Sequence, residues 1–137
     1  MDEQAVDVLI YSGDSARRKA VIEGVGLRPG KGAPRLNWIE TATAAGVVNA
    51  VKEHHPAVAV LDGETPKVGG IAVAQQIRNE LDFQPLLVLL IARPQDEWLA
   101  EWAGASRTVL APFDPLDLQE TMMAALREAG LRSASVA

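Results

Sequence analysis

The stretch PAVAVLDG, residues 56–63, indicates the fold class of this chain. The apolar run at 57–61 consists of small and branched residues, which is typical of a strand covered on both faces, as in a parallel sheet. Pro56 precedes the run, and Asp62 and Gly63 end it. Because ligand sites in such sheets lie at the carboxyl ends of the strands, Asp62 is the first candidate for a functional residue.

Strand-like segments alternate with helix-like segments five times along the chain. We predict strands at residues 5–11, 36–40, 57–61, 86–91 and 108–110, and helices at 15–23, 43–54, 71–81, 95–103 and 115–129. Five such units predict an α/β fold, flavodoxin-like, with a five-stranded parallel sheet of order 2-1-3-4-5 and helices on both faces. The carboxyl ends of the first and third strands, at Tyr11 and Leu61, then face one crevice.

The length of 137 residues suits one domain with a continuous core. We predict that this domain spans residues 1–132 and that a short disordered tail follows at 133–137. The segment from Gly26 to Pro34 is a loop that is longer than its connection requires. It is interpreted as a surface insertion, with anion binding or partner binding as the alternative.

Composition excludes several classes of function. A net charge of -5 opposes binding to the phosphate backbone of nucleic acid. The chain has no cysteine, so neither a disulfide nor a thiolate metal site is expected. No apolar run approaches the ~18 residues of a membrane span, and the first residues lack a basic signal region. We therefore expect a cytoplasmic protein without a membrane span.

The segment LDGETPKVGG, residues 61–70, resembles the phospho-acceptor segment of response-regulator receiver domains, the CheY-like superfamily. The resemblance places Asp62 at the phosphorylated position. GAS at 104–106, PF at 112–113 and Ala92 also match the family, so the likeness covers nearly the whole chain. It implies the CheY-like fold, a cis bond before the proline of the PF pair, and a role in two-component or phosphorelay signal transduction.

Five positions depart from the family pattern. The two acids that help hold Mg²⁺ after the first strand are replaced by Ser12 and Gly13, and the switch hydroxyl after the fourth strand is replaced by Ile91. Ala111 stands where the family lysine pairs with the phosphoryl charge, and Thr108 stands where an aromatic residue couples the site to the output face. The resemblance therefore implies an atypical receiver, or pseudo-receiver.

Two interpretations of Asp62 remain open. It is either a strand-end acid that caps the turn at residues 63 and 64, or a phospho-acceptor of low reactivity. Asp14, Asp62 and Glu64, the last through its main-chain carbonyl, are candidate ligands of a weak Mg²⁺ site. Asp14 also stands where a helix N-cap is expected. We therefore expect no cofactor, or only weakly bound Mg²⁺.

Trp98 and Trp102 are spaced i, i+4 in the fourth predicted helix. In one interpretation both indoles pack over the edge of the sheet. In the other, at least one anchors a protein partner, because tryptophan is enriched among interface hot spots. The resemblance implies that the face of the fourth helix, fifth strand and fifth helix is used for dimers and outputs.

The leading hypothesis is a stand-alone, atypical receiver that signals through protein contacts, a homodimer among them, with weak or absent phosphorylation at Asp62. No pair of nucleophile and base marks an enzyme. One alternative is a working phospho-acceptor receiver, in which Asp14 replaces the missing acids. Another is a flavin-binding or small-ligand-binding protein of flavodoxin-like fold, for which the hydroxyls of Ser12 and Ser15 are suggestive.

Overall fold

The computed structural model describes residues 5–136, with side chains from residue 5 to residue 130. Strands and helices alternate in the order β1 (Val6–Tyr11), α1 (Ser15–Val25), β2 (Leu36–Thr41), α2 (Ala44–His54), β3 (Val58–Asp62), α3 (Gly70–Glu80), β4 (Leu86–Ile91), α4 (Glu97–Trp102), β5 (Arg107–Leu110) and α5 (Pro115–Val136). All strand pairs are parallel, and the strand order is β2-β1-β3-β4-β5. The predicted fold class and strand order are confirmed.

The sheet separates two hydrophobic clusters. Successive side chains of a strand point to opposite faces, so Leu61 packs with α2, α3 and α4, while Val60 packs with α1 and α5. Every residue of β3 and of β4 is buried. This double coverage explains why the two strands read as continuous apolar runs rather than as alternating patterns.

The last helix is longer than the sequence predicts. We expected its end at residue 129 and a disordered tail at 133–137, but α5 continues to Val136, and Ala137 lies outside the described residues. Gly130, the residue after the predicted end, lies inside the helix. One glycine costs a helix only about 1 kcal/mol relative to alanine, and helix-compatible residues follow it.

The connection from α1 to β2 is a loop, as predicted, and it folds back on the domain. The main-chain carbonyl of Leu27 accepts a hydrogen bond from the N–H of Leu36 at 2.7 Å, and the carbonyl of Gly26 accepts one from the indole of Trp38 at 3.2 Å. The loop also brings Gly30 against Met123 of α5. Its predicted role as a tolerated surface insertion stays a prediction.

The loop after β5 contains the peptide bond on which the resemblance made a prediction. The bond between Ala111 and Pro112 is cis, as the resemblance implied, and Phe113 follows it with a φ of 61°.

Within residues 5–136, no helix is both long and apolar enough to cross a bilayer.

Candidate functional site

Asp62 ends β3 with its carboxylate buried, because its side chain is only 4% exposed. One oxygen, Oδ2, accepts a hydrogen bond from the hydroxyl of Ser12 at 2.8 Å. The other, Oδ1, accepts one from the main-chain N–H of Glu64 at 2.9 Å. Ser12 itself is fully buried at the end of β1. Both oxygens of the candidate acceptor are therefore anchored by donors from two strand ends.

Arg17 is a functional candidate that the sequence analysis missed. Its Nη1 lies 3.5 Å from Oδ1 of Asp62, and its guanidinium carbon lies 4.8 Å from the ring centre of Phe113. Both the ion pair and the cation–π contact are short enough to be attractive. The available signal was an arginine in the first turn of a helix that begins beside the crevice, but spacing alone does not show which way such a long side chain reaches.

Asp14 caps α1. Its Oδ1 accepts a hydrogen bond from the N–H of Ala16 at 2.9 Å and a longer one from the N–H of Arg17 at 3.4 Å. Its own main-chain N–H donates to the Ser12 hydroxyl oxygen at 3.1 Å. The capping interpretation of Asp14 is confirmed, and its carboxylate is directed at the helix terminus.

The crevice predicted between β1 and β3 is present, with a volume of about 580 Å³. Tyr11 and Asp62 line it together with Thr65, whose hydroxyl oxygen accepts the N–H of Gly13 at 3.2 Å. The Tyr11 hydroxyl donates to the carbonyl of Val68 at 2.6 Å. Burial raises the pKa of Tyr11 above 10.0, and the negative charge of Asp62 raises this pKa further.

The other altered positions do not replace the lost polar groups. Ile91 is 2% exposed and packs in the core at the end of β4. Its carbonyl accepts the main-chain N–H of Ala111 at 2.8 Å, and Thr108 lies on β5 opposite Leu89. Apart from Ser12, none of the five altered positions provides a side-chain hydrogen bond to Asp62.

The resemblance to receiver domains implies a Mg²⁺ site at the phosphorylated position, but the residues here fit such a site poorly. Across residues 5–130, no group of three acidic, histidine or cysteine side chains is placed to hold a metal ion. Asp14 is used as a cap, and Arg17 brings a positive charge to Asp62. Mg²⁺ usually needs one or two carboxylates with several waters in near-octahedral geometry. A weak Mg²⁺ site at Asp14, Asp62 and Glu64 stays a prediction.

The two tryptophans of α4 point into solvent. Trp98 is 68% exposed and Trp102 is 63% exposed, whereas Ala100 on the same helix is fully buried. The interpretation that both indoles pack over the sheet edge is wrong, since the small residues of α4 make that contact. β5 contacts both α4 and α5, and it carries the exposed Leu110. We call the surface formed by these three elements the α4–β5–α5 face.

Comparison with known proteins identifies the family. No protein-family model matches the chain. A response regulatory protein of Mycobacterium tuberculosis is 35% identical over 123 residues, an alignment that covers 90% of this chain and 92% of the relative. The chain belongs to the response-regulator receiver family. Receivers of this family act in two-component signalling.

Solved structures agree with this receiver in fold. The signal receiver domain of a protein described as a Luxo repressor, from Vibrio parahaemolyticus, superimposes with a TM-score of 0.80 and covers 96% of this chain and 98% of that one, at 16% identity. The chemotaxis protein CheY4 of Vibrio cholerae gives a TM-score of 0.74, with 89% and 99% covered, also at 16% identity. At such low identity these likenesses support the CheY-like fold of the receiver and nothing finer.

Proposed function

We propose that this receiver signals through protein contacts on the α4–β5–α5 face, with phosphorylation of Asp62 weak or absent. The observation that carries the proposal is the set of contacts around Asp62. Its carboxylate is held by the Ser12 hydroxyl, the Glu64 N–H and the Arg17 guanidinium, and within residues 5–130 no group of three acidic, histidine or cysteine side chains is placed to hold a metal ion there. We expect no catalytic activity, and no cofactor beyond weakly bound Mg²⁺.

The chemistry of phosphoryl transfer supports low reactivity at Asp62. Its oxygen has to approach a phosphoryl group that already carries negative oxygens, and a divalent cation normally offsets their repulsion. Here Oδ2 accepts a hydrogen bond from the fully buried Ser12, and this bond stabilises the charge on the oxygen and so lowers its nucleophilicity. Ile91 and Ala111 supply neither the hydroxyl nor the ammonium group that would bind the incoming phosphoryl oxygens.

A protein partner fits the surface better than nucleic acid does. The net charge of -5 disfavours a phosphate backbone, whereas exposed indoles are effective anchors in protein interfaces. The partner is another protein or a second copy of this chain, and we place the interaction in the cytoplasm.

Incubation with acetyl phosphate and Mg²⁺, followed by intact-mass measurement, tests the state of Asp62. We expect no stable adduct on the wild-type protein and the same result for Asp62→Asn. An adduct that forms on the wild type and disappears in Asp62→Asn would instead establish a working phospho-acceptor, the alternative that the position of Asp62 at the crevice favours.

Two measurements test the α4–β5–α5 face. One is the affinity for captured protein partners, and the other is self-association, followed by light scattering. Replacing Trp98 or Trp102 with alanine should weaken binding by roughly 1 to 3 kcal/mol. Leu27→Ala is the matched control, because Leu27 is also exposed, at 58%, but follows α1. Asp62→Asn should leave binding nearly unchanged. An essential Asp62 together with dispensable tryptophans would contradict the proposal.

The flavin-binding form of the flavodoxin-like alternative receives no support from the site. Tyr11 is the one aromatic side chain among the residues that line the crevice at Asp62. Its hydroxyl is bonded to the carbonyl of Val68, and a second ring to sandwich a flavin is missing from that lining. A colourless protein whose melting temperature is unchanged by flavin is the expected result.

A further inference from the structure

We infer that Arg17 is the built-in cation of this receiver. Its guanidinium takes over the neutralisation of Asp62 that a metal ion provides in the family, and it connects Asp62 to Phe113 in the loop between β5 and α5. This inference deepens the proposed function, because it rests on a site that does not depend on Mg²⁺. It is independent of the partner face.

The first argument is the need of Asp62 for a counter-charge. The side chain of Asp62 is 4% exposed, and a buried carboxylate is costly unless it is paired. Among the residues that the structure describes, the cation that pairs with Asp62 is Arg17, whose side chain is 32% exposed. The neighbouring Arg18 is engaged elsewhere, since it donates to Glu40 Oε1 at 3.1 Å and to the carbonyl of Ser12 at 2.7 Å.

The second argument is that the position of Arg17 is fixed from both ends. Its main-chain N–H is held by the Asp14 cap in the first turn of α1. Its guanidinium lies over the Phe113 ring, which restricts where the charge can go. The side chain therefore joins the start of α1, the end of β3 and the loop that leads into α5.

The third argument is the composition around the site. The family acids are replaced by Ser12 and Gly13, and the family lysine by Ala111, so this chain lacks both the groups that attract a metal and the cation that follows the fifth strand. An arginine approaching from α1 restores one positive charge at Asp62. It also places that charge where it repels a second cation.

Mg²⁺ titration followed by amide chemical shifts tests the inference. We expect weak binding to the wild-type protein and about tenfold tighter binding to Arg17→Gln, because a positive charge beside Asp62 has been removed. Arg107→Gln is the matched control: it removes the same charge from the pair with Glu128, and it should bind Mg²⁺ like the wild type. Equal Mg²⁺ binding by all three proteins would overturn the inference.

A second measurement covers the link to Phe113 and does not need Mg²⁺. Asp62→Asn should shift the Phe113 ring and amide resonances in the wild-type background, and this shift should be largely lost in an Arg17→Gln background. In the Mg²⁺ titration described above, Arg17→Lys keeps the charge and should keep Mg²⁺ binding weak. Equal Phe113 shifts in both backgrounds would show that Arg17 does not connect the two residues.

The two proposals fail in different ways. Efficient labelling of Asp62 by acetyl phosphate in the wild-type protein would remove the proposed function, while the effect of Arg17→Gln on Mg²⁺ binding would still support Arg17 as the cation. Unlabelled Asp62 combined with unchanged Mg²⁺ binding in Arg17→Gln would leave the proposed function in place and remove the role of Arg17.

Discussion

At the scale of single residues, Ser12 changes what the carboxylate of Asp62 does. A hydroxyl at this position both donates to Oδ2 of Asp62 and accepts the main-chain N–H of Asp14. An acid in the same place would repel Asp62 and attract a cation. The substitution therefore favours a closed hydrogen-bonded arrangement over an open metal-binding one.

Ser12→Ala should destabilise the fold by roughly 1 to 3 kcal/mol, because it leaves the buried Oδ2 of Asp62 without this donor. Urea unfolding measures the change. Ser106→Ala, which removes an exposed hydroxyl directly before β5, should have almost no effect. Equal losses in the two variants would show that the Ser12 bond contributes little.

Two glycines should respond to alanine in opposite directions. A Cβ at Gly63 would lie 2.7 Å from the carbonyl oxygen of Leu90, whereas a Cβ at Gly130 would meet nothing within 4 Å. We expect Gly63→Ala to lower the free energy of unfolding by roughly 1 to 3 kcal/mol through overpacking. Gly130→Ala should raise it by roughly 0.5 to 1 kcal/mol, because alanine is the better helix former. Thermal or urea unfolding checks both signs.

The residues of the site were predictable to different degrees. Asp62 and Asp14 were identified because each marks a local boundary, the end of a strand and the start of a helix. Arg17 was not, because its ion pair joins residues 45 positions apart through a flexible side chain. Sequence spacing carries information about main-chain periodicity and very little about the direction of a long side chain.

At the scale of elements, α4 is held by small residues and displays large ones. Ala100 and Ala103 are buried against the core, whereas Trp98 and Trp102 project away from it. Sequence analysis left open which side faced the sheet, since apolar residues occupied both sides of this short helix. The close approach permitted by the alanines decides the orientation.

The exposed indoles should be dispensable for folding. We expect Trp98→Ala and Trp102→Ala to change the free energy of unfolding by less than about 0.5 kcal/mol, as is usual for surface substitutions. Ala100→Leu on the same helix should cost roughly 1 to 3 kcal/mol, because Ala100 is fully buried. Urea unfolding distinguishes them, and a large loss in either tryptophan variant would contradict the assigned orientation.

At the scale of the whole molecule, the alternation of apolar runs and helical segments was enough to predict the class and the strand order, because each β/α unit has a strong local pattern. The length of α5 was not predictable in this way. Its continuation past Gly130 depends on the whole helix, in which one weak position is tolerated.

Alkaline stability should depend on Tyr11. Its pKa is raised above 10.0, first by burial and then by the charge of Asp62. The folded state therefore keeps this proton more tightly than the unfolded chain. The resulting stabilisation is complete below pH 10.0 and is lost as the pH rises through the pKa of the folded state.

We expect the free energy of unfolding of Tyr11→Phe to fall less than that of the wild type from about pH 9 to about pH 11. At neutral pH the variant should be about 1 kcal/mol less stable, because it lacks the bond to Val68. The chain has one tyrosine, so phenolate absorbance follows Tyr11 directly. Phenolate formation at the ordinary pH of a free tyrosine would contradict the expectation.

The strand order also sets a gradient of amide hydrogen exchange. β3 and β4 lie inside the sheet, with partner strands on both sides, whereas the four-residue β5 pairs only with β4 and lies at the edge. Short edge strands open locally at lower free energy than central ones, so β5 should exchange its amide hydrogens first. A partner that covers the α4–β5–α5 face would slow exchange at β5 most, and this protection would report binding before the partner has been identified.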